Sequence, residues 1–186
     1  MAKLPDPTEG LSAEARAALE HMAAARSHAD GRPQLGEVYV TMFNNPAIAE
    51  RVGALGEHLR FGGILPDETR ELAIIRYSAR EGFGYEWSHH QRPAAQAGVD
   101  QATIDAVTRG EVPSSLSPST QAVLLAVDAV AARQPIPDDV QATVVDAHGT
   151  AGVVEVVALC GLYALMGYTV TAFDIETEPG FPPAPF

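Results

Sequence analysis

One cysteine, Cys160, is all that the 186 residues contain. An internal disulfide is therefore excluded, and so is any thiol cycle that needs a second, resolving cysteine in the same chain. A reducing compartment fits this usage, and no basic segment followed by an apolar stretch opens the sequence, so the cytoplasm is the expected location. Basic residues are scarce too: 12 Lys and Arg stand against 24 Asp and Glu, for a formal charge of −12. Phosphate backbones and anionic bilayers are both met by clustered Lys and Arg, so neither nucleic acid nor a membrane surface is an expected partner. Aromatic residues make up only 6 % of a chain that is 46 % hydrophobic. Packing then falls to alanine, valine and leucine, which favours closely packed helices over a β-sandwich. The expectation is an all-α domain over residues 12–175, with an N-terminal arm (1–11) and an extended C-terminal tail (176–186).

What the chain does have is concentrated between Asp67 and Val99, where acids, histidines and aromatics gather. The pattern predicts two helices, Asp67 to Arg80 and Tyr85 to Ala97. Glu81-Gly82-Phe83-Gly84 reverses the chain between them, its two glycines supplying positive-φ positions, and Gly98 closes the second helix. Glu86, His89 and His90 stand at i, i+3 and i+4 and share a helix face. Glu71 borders the apolar row Leu72, Ile75, Ala79 and has no basic residue three or four positions away. A carboxylate so placed needs a partner from elsewhere, and the facing helix offers His90, Glu86 or both.

The segment ETRELAIIRYSAREGFGYEWSHHQRPAAQAGV resembles the carboxymuconolactone decarboxylase / AhpD-like family. The shared pattern is a Pro-x-x-x-x-Glu-Leu helix, then Tyr-Glu-Trp-x-x-His and an Ala-x-x-x-Gly ending. The likeness continues through Asn45 to Arg51, Leu59 to Phe61, Gly161 to Tyr163 and Ala172 to Asp174, covering most of 34–175. It implies an AhpD-like helical bundle built around a central αα-hairpin, oligomeric as a dimer, trimer or hexamer. AhpD-type peroxidases carry a Cys-x-x-Cys pair between the glutamate and the histidine, and here Phe83 and Glu86 occupy those positions. Peroxidase activity is not expected, and Cys160 reads as a packing residue.

Outside this stretch, Ser12 caps a helix reaching about Ser27, with Ala29 to Pro33 ending it; His21 and His28 on it read as surface or packing residues. Gly36 to Asn44 reads as a short helix or extended connector. Asn45 and Pro46 start a helix to about Leu59, Asp100 caps one ending near Arg109, and Ser117 with Pro118 starts one reaching Arg133. Asp138 or Asp139 opens a helix that stops at Gly149. The last helix, Ala151 to Phe173, contains an uncharged run of eighteen residues, 156–173. Its length suits a membrane span, but the flanks lack Lys and Arg and the downstream side is acidic, so burial in a core or an oligomer is the expected role. Gly161, Ala164 and Gly167 suit close backbone approach at a subunit interface.

The residues expected to act are Glu71, Glu86 and His90. The resemblance implies a proton-transfer enzyme acting on an unsaturated or lactone carboxylic acid, by decarboxylation or related chemistry, with no cofactor. His90 would give a proton to the γ-carbon of the dienolate left by CO₂, Glu71 would orient it, and Glu86 would be the second acid/base group. Substrate contacts are assigned to His89, Tyr85 and Arg60, with Arg76, Arg80 and Arg92 as further candidates for binding a substrate carboxylate. Trp87 reads as packing. Glu86-x-x-His89 is the unit used in di-iron bundles, but no second such unit occurs in the chain, so no metal is expected. The competing reading is a non-catalytic oligomeric binding or assembly protein with the same fold, in which Glu86 and His90 are only a surface i,i+4 pair.

Overall fold

The computed structural model describes residues 4–26 and 35–186, and the described residues form helices with no strand. The expected end of the first helix near Ser27, His28 and the break at 29–33 lie outside them. The helices are α1 (Ala13–Ala25), α2 (Glu37–Met42), α3 (Pro46–Glu57), α4 (Asp67–Glu81), α5 (Gly84–Gln96), α6 (Gln101–Thr108), α7 (Pro118–Ala131) and α8 (Asp138–Phe173). A short 3₁₀ turn, Thr8–Gly10, precedes α1, and a π-helical turn, His58–Gly62, extends α3. The starts follow the capping residues. Ser12, Asn45, Asp100 and Ser117 each accept a hydrogen bond from the backbone N–H three residues on, meeting donors a helix start leaves orphaned.

The chain divides into two compact units, residues 1–62 with 168–175 and residues 63–167 with 176–186. In the first unit α3 packs on α1 and α2 around Met22, Phe43 and Ala49. The space where a Cβ at Gly53 would stand is filled by the thioether end of Met22 from α1. Arg26 donates to the Gly53 carbonyl and lies over the Tyr39 ring.

In the second unit α4 packs against α5, α6 and α7. Every residue of α4 from Thr69 to Ser78 is buried, and the core joins Leu72 and Ile75 to Trp87, Ala94, Ile104, Val107 and Leu124. A helix buried all round brings its polar residues in with it; among the described residues the Ser78 hydroxyl has no partner, whereas Thr69, Arg70, Glu71 and Arg76 are paired. Thr69 bonds Thr120. Arg76, 1 % exposed, donates to both Asp128 carboxylate oxygens and to the carbonyls of Val107 and Glu111, and Arg80 also donates to Asp128. Both arginines, considered above as carboxylate binders, are thus engaged with α7 and the loop after α6.

Only one of the two glycines between α4 and α5 serves the turn. Gly82 closes α4 with φ 74°. Gly84 is the first residue of α5 and has no positive φ; the space where its Cβ would stand is bordered by Ala184, 3.3 Å away. Gly84 accommodates the C-terminal tail rather than the reversal. Gly149, at φ 69° and ψ 175°, breaks α8 into the two helical stretches expected there. By length and composition alone α8 is long and apolar enough to cross a membrane, a test that a core helix also passes. In this fold Val156, Leu159, Cys160, Leu162, Tyr163 and Met166 are buried. Gly167 faces inward, where a Cβ would meet the Phe83 ring at 2.4 Å, whereas Gly161 is exposed with nothing near it.

Candidate active site

Glu71 lies in the buried stretch of α4, near its start, and is 1 % exposed. Its carboxylate is shared between two partners. Oε1 accepts from Nε and Nη2 of Arg70 at 3.2 and 3.1 Å, and Oε2 stands 2.6 Å from Nδ1 of His90 on α5. Arg70 also donates to Asp67 at 2.7 Å. Asp67, Arg70, Glu71 and His90 therefore form one chain of alternating acidic and basic groups that runs from the start of α4 into the core. Burial works against the Arg70 charge, but the hydrogen bonds and charges of Asp67 and Glu71 outweigh it and hold the guanidinium above its ordinary value.

His90 is itself buried, and Tyr163 of α8 meets it edge-on, ring centroids 5.0 Å apart at 86°. The start of α4 is tied to the same helix. Glu155, buried two turns before Tyr163, accepts the backbone N–H groups of Ile64 and Leu65 at 2.7 and 3.0 Å. α8 thus fixes both the approach to the helix that carries Glu71 and one side of the His90 ring. Glu86 is buried on the His90 side of α5, one turn ahead of it.

Because the Glu71 carboxylate only accepts, the Nδ1 it faces carries the hydrogen. Proton exchange with any other molecule then runs through Nε2, the arrangement a general acid/base histidine needs. Oriented in this way by a buried, arginine-held carboxylate, the imidazole is suited to giving and taking one proton in a water-poor site.

The residues assigned to substrate contact go elsewhere. Tyr85 and His89 share a different face of α5, covered by the C-terminal tail. Tyr85 donates its hydroxyl hydrogen to Glu178 at 2.9 Å, and His89 Nε2 lies 2.8 Å from the other Glu178 oxygen. The His89 ring is stacked between Tyr85 and Phe181, with centroids 4.0 and 3.9 Å away. Arg60 belongs to the first unit, where it sits over the Phe61 ring. Trp87 is packed as expected, its indole N–H donating to Thr108. Among the described residues no group of three or more His, Cys, Asp or Glu side chains is disposed to hold a metal ion.

Two participants escaped the sequence reading. Arg70 pairs with Glu71 from the adjacent position, outside the i±3 and i±4 spacings on which the search for a partner rested. Tyr163 was hidden in an apolar run, and only its place two turns beyond a buried glutamate distinguishes it. Cys160 is buried, and burial pushes its thiol up to about 12, so it remains protonated.

Residues 46–129 match the model of the Carboxymuconolactone decarboxylase family. Of solved structures, the debrominase Bmp8, as a cysteine-to-alanine variant with 2,3,4-tribromopyrrole, superposes with a TM-score of 0.73 at 18 % identity, covering 91 % of this chain and 90 % of that one. ATU0492 from Agrobacterium tumefaciens, a protein of unknown function for which an AhpD antioxidant-defence role is suggested, superposes at 0.64 with 19 % identity over 74 % and 94 %. No curated protein matches the chain by sequence. The match to the Carboxymuconolactone decarboxylase family is thus carried by residues 46–129, and at these identities the structural likeness speaks to fold alone.

Proposed function

We infer that this protein is a small-molecule enzyme whose chemistry is proton transfer through His90. The observation that carries the reading is the 2.6 Å contact between His90 Nδ1 and a Glu71 carboxylate that is buried and also bound by Arg70. A purely structural ion pair would be satisfied by Arg70 and Glu71 alone. Adding a histidine to the pair brings in a group able to give and take a proton.

The substrate class we favour is an unsaturated or lactone carboxylic acid, and the reaction decarboxylation or an isomerisation of the same kind. Loss of CO₂ leaves a dienolate, to which His90 Nε2 delivers a proton, while Glu86 serves as the second acid/base group. Glu71 does not touch substrate in this scheme; it orients the ring and stabilises the imidazolium. Phe83 and Glu86 stand where a peroxidase of this family would carry its cysteines, so thiol-dependent peroxide reduction is not part of the reading.

The protein works as a homo-oligomer in this reading. Val154, Val157, Gly161 and Leu165 are exposed along α8 at spacings of three and four. Such a continuous apolar stripe suits burial against a second copy.

Incubating the protein with a γ-carboxylated unsaturated lactone in D₂O and following CO₂ release with deuterium incorporation tests the function. Release that His90→Gln and Glu71→Gln abolish is expected. An unchanged substrate favours the non-catalytic binding protein instead, and release that survives both substitutions means that the chemistry does not run through Glu71 and His90.

A further inference from the structure

The face of α5 that carries Tyr85 is turned away from His90 and is where a second feature lies. Between this face and the C-terminal tail is a cavity of about 470 Å³, bordered by Tyr85 and Ser88 of α5 and by Glu178, Phe181, Pro183 and Phe186 of the tail. Ser88 and His90 are two residues apart, about 200° round the helix, so this space is separate from the Glu71–His90 pair. Its volume falls within the range of about 300–1,000 Å³ common for small-molecule pockets.

Three properties of the lining define what would fit. Tyr85, His89 and Phe181 form a three-layer stack with centroid spacings of 4.0 and 3.9 Å, and Phe186 is held edge-on against Trp87 at 6.2 Å. The tail is therefore fixed on α5 by ring contacts and presents flat aromatic surface. The lining contains no Lys, Arg or His, and its one charged residue is Glu178. An anionic ligand would meet a carboxylate and no compensating cation. Finally, Ser88 is buried, 1 % exposed, and among the described residues its hydroxyl makes no hydrogen bond. Buried hydroxyls in native proteins nearly always have a partner, and this one lines the cavity.

We propose that the cavity between α5 and the C-terminal tail is a second binding site, for an uncharged planar aromatic molecule with one hydroxyl or N–H group that bonds Ser88. The ring packs beside the aromatic stack, against Phe181, and the polar group satisfies the Ser88 hydroxyl. This ligand class differs from the carboxylate expected at His90, and the proposal does not depend on the protein being an enzyme.

Titration of the full-length chain with phenol, toluene and benzoate, followed by ¹H–¹⁵N NMR, tests it. Saturable shifts at Tyr85, Ser88 and Phe181 are expected, with phenol bound more tightly than toluene and benzoate bound least. Ser88→Ala, which removes a single oxygen and leaves the helix intact, should weaken phenol about three- to tenfold, the worth of one neutral hydrogen bond, and leave toluene unchanged. Phe181→Ala, beyond the last helix, should weaken both. Shifts that do not saturate, that map around His90 instead, or that show benzoate binding as well as phenol would overturn the proposal. So would a preference for phenol over toluene that survives Ser88→Ala.

Discussion

Glu71 and His90, nineteen residues apart in sequence, stand with Oε2 and Nδ1 at 2.6 Å in the core of the second unit. The contact exists because α4 is buried on all sides and α5 packs against it directly. Arg70 completes it by donating to the other carboxylate oxygen, Oε1, which leaves Oε2 toward the imidazole.

Arg70 should be costly to remove. Arg70→Met leaves Glu71 buried with one cationic neighbour fewer, and breaking a buried pair of this kind costs about 3–5 kcal/mol. Arg70→Met combined with Glu71→Gln should cost less than the sum of the two single changes, since the partners share one network. Urea unfolding of the three variants checks this; additive losses would show that the pair is not coupled.

Asp128 gives a stability change with a definite sign. Burial alone would raise its carboxyl, but hydrogen bonds and charge from Arg76 and Arg80 hold it below its ordinary value of 3.8. A carboxylate depressed in the fold stabilises the protein above its unfolded pKa, and that contribution disappears as pH falls through the folded one. Wild type should therefore lose stability steeply below about pH 4. Asp128→Asn should be less stable at neutral pH and show a shallower acid limb in denaturant melts recorded against pH.

Cys160 should be silent. Its thiol, buried and pushed up to about 12, should not react with a disulfide reagent in the native protein at pH 8. It should react in full once the chain is unfolded. Cys160→Ser should leave turnover unchanged; loss of turnover in that variant would mean that the cysteine takes part in the chemistry.

The helices were legible because their starts are written in capping residues and prolines, and their breaks in Gly82, Gly98, Gly110 and Gly149. The i, i+4 relation of Glu86 to His90 was also legible, as was the need of Glu71 for a partner across the α4–α5 pair. Arg70 was not, because adjacent residues on a helix point about 100° apart and only long side chains can curl back to meet. The roles of Tyr85 and His89 were not legible either. Helical spacing put His89 near Glu86, and nothing in the tail sequence ETEPGFPPAPF indicated that Glu178 and Phe181 would take the opposite side of α5. Such contacts come from chain segments about ninety residues apart, for which local pattern holds no signal.

The exposed stripe on α8 leads to an assembly test. Light scattering near neutral pH should give a mass that is a multiple of the 19.6 kDa chain. Val154→Asp with Val157→Asp, both on exposed positions, should reduce it toward the single chain without loss of helical content. A single-chain mass for the unaltered protein would remove the oligomer from the account.

The central claim is that Glu71 and His90 act as one acid/base unit, and titration of His90 by NMR tests it most directly. Removing a negative charge 2.6 Å from the ring disfavours imidazolium, so Glu71→Gln should move the His90 midpoint to lower pH. Glu86→Gln should move it in the same direction, and the double change should differ from the sum of the two, because groups in one network couple by roughly 0.5–3 kcal/mol. A His90 midpoint that stays in place in Glu71→Gln would contradict the shared site.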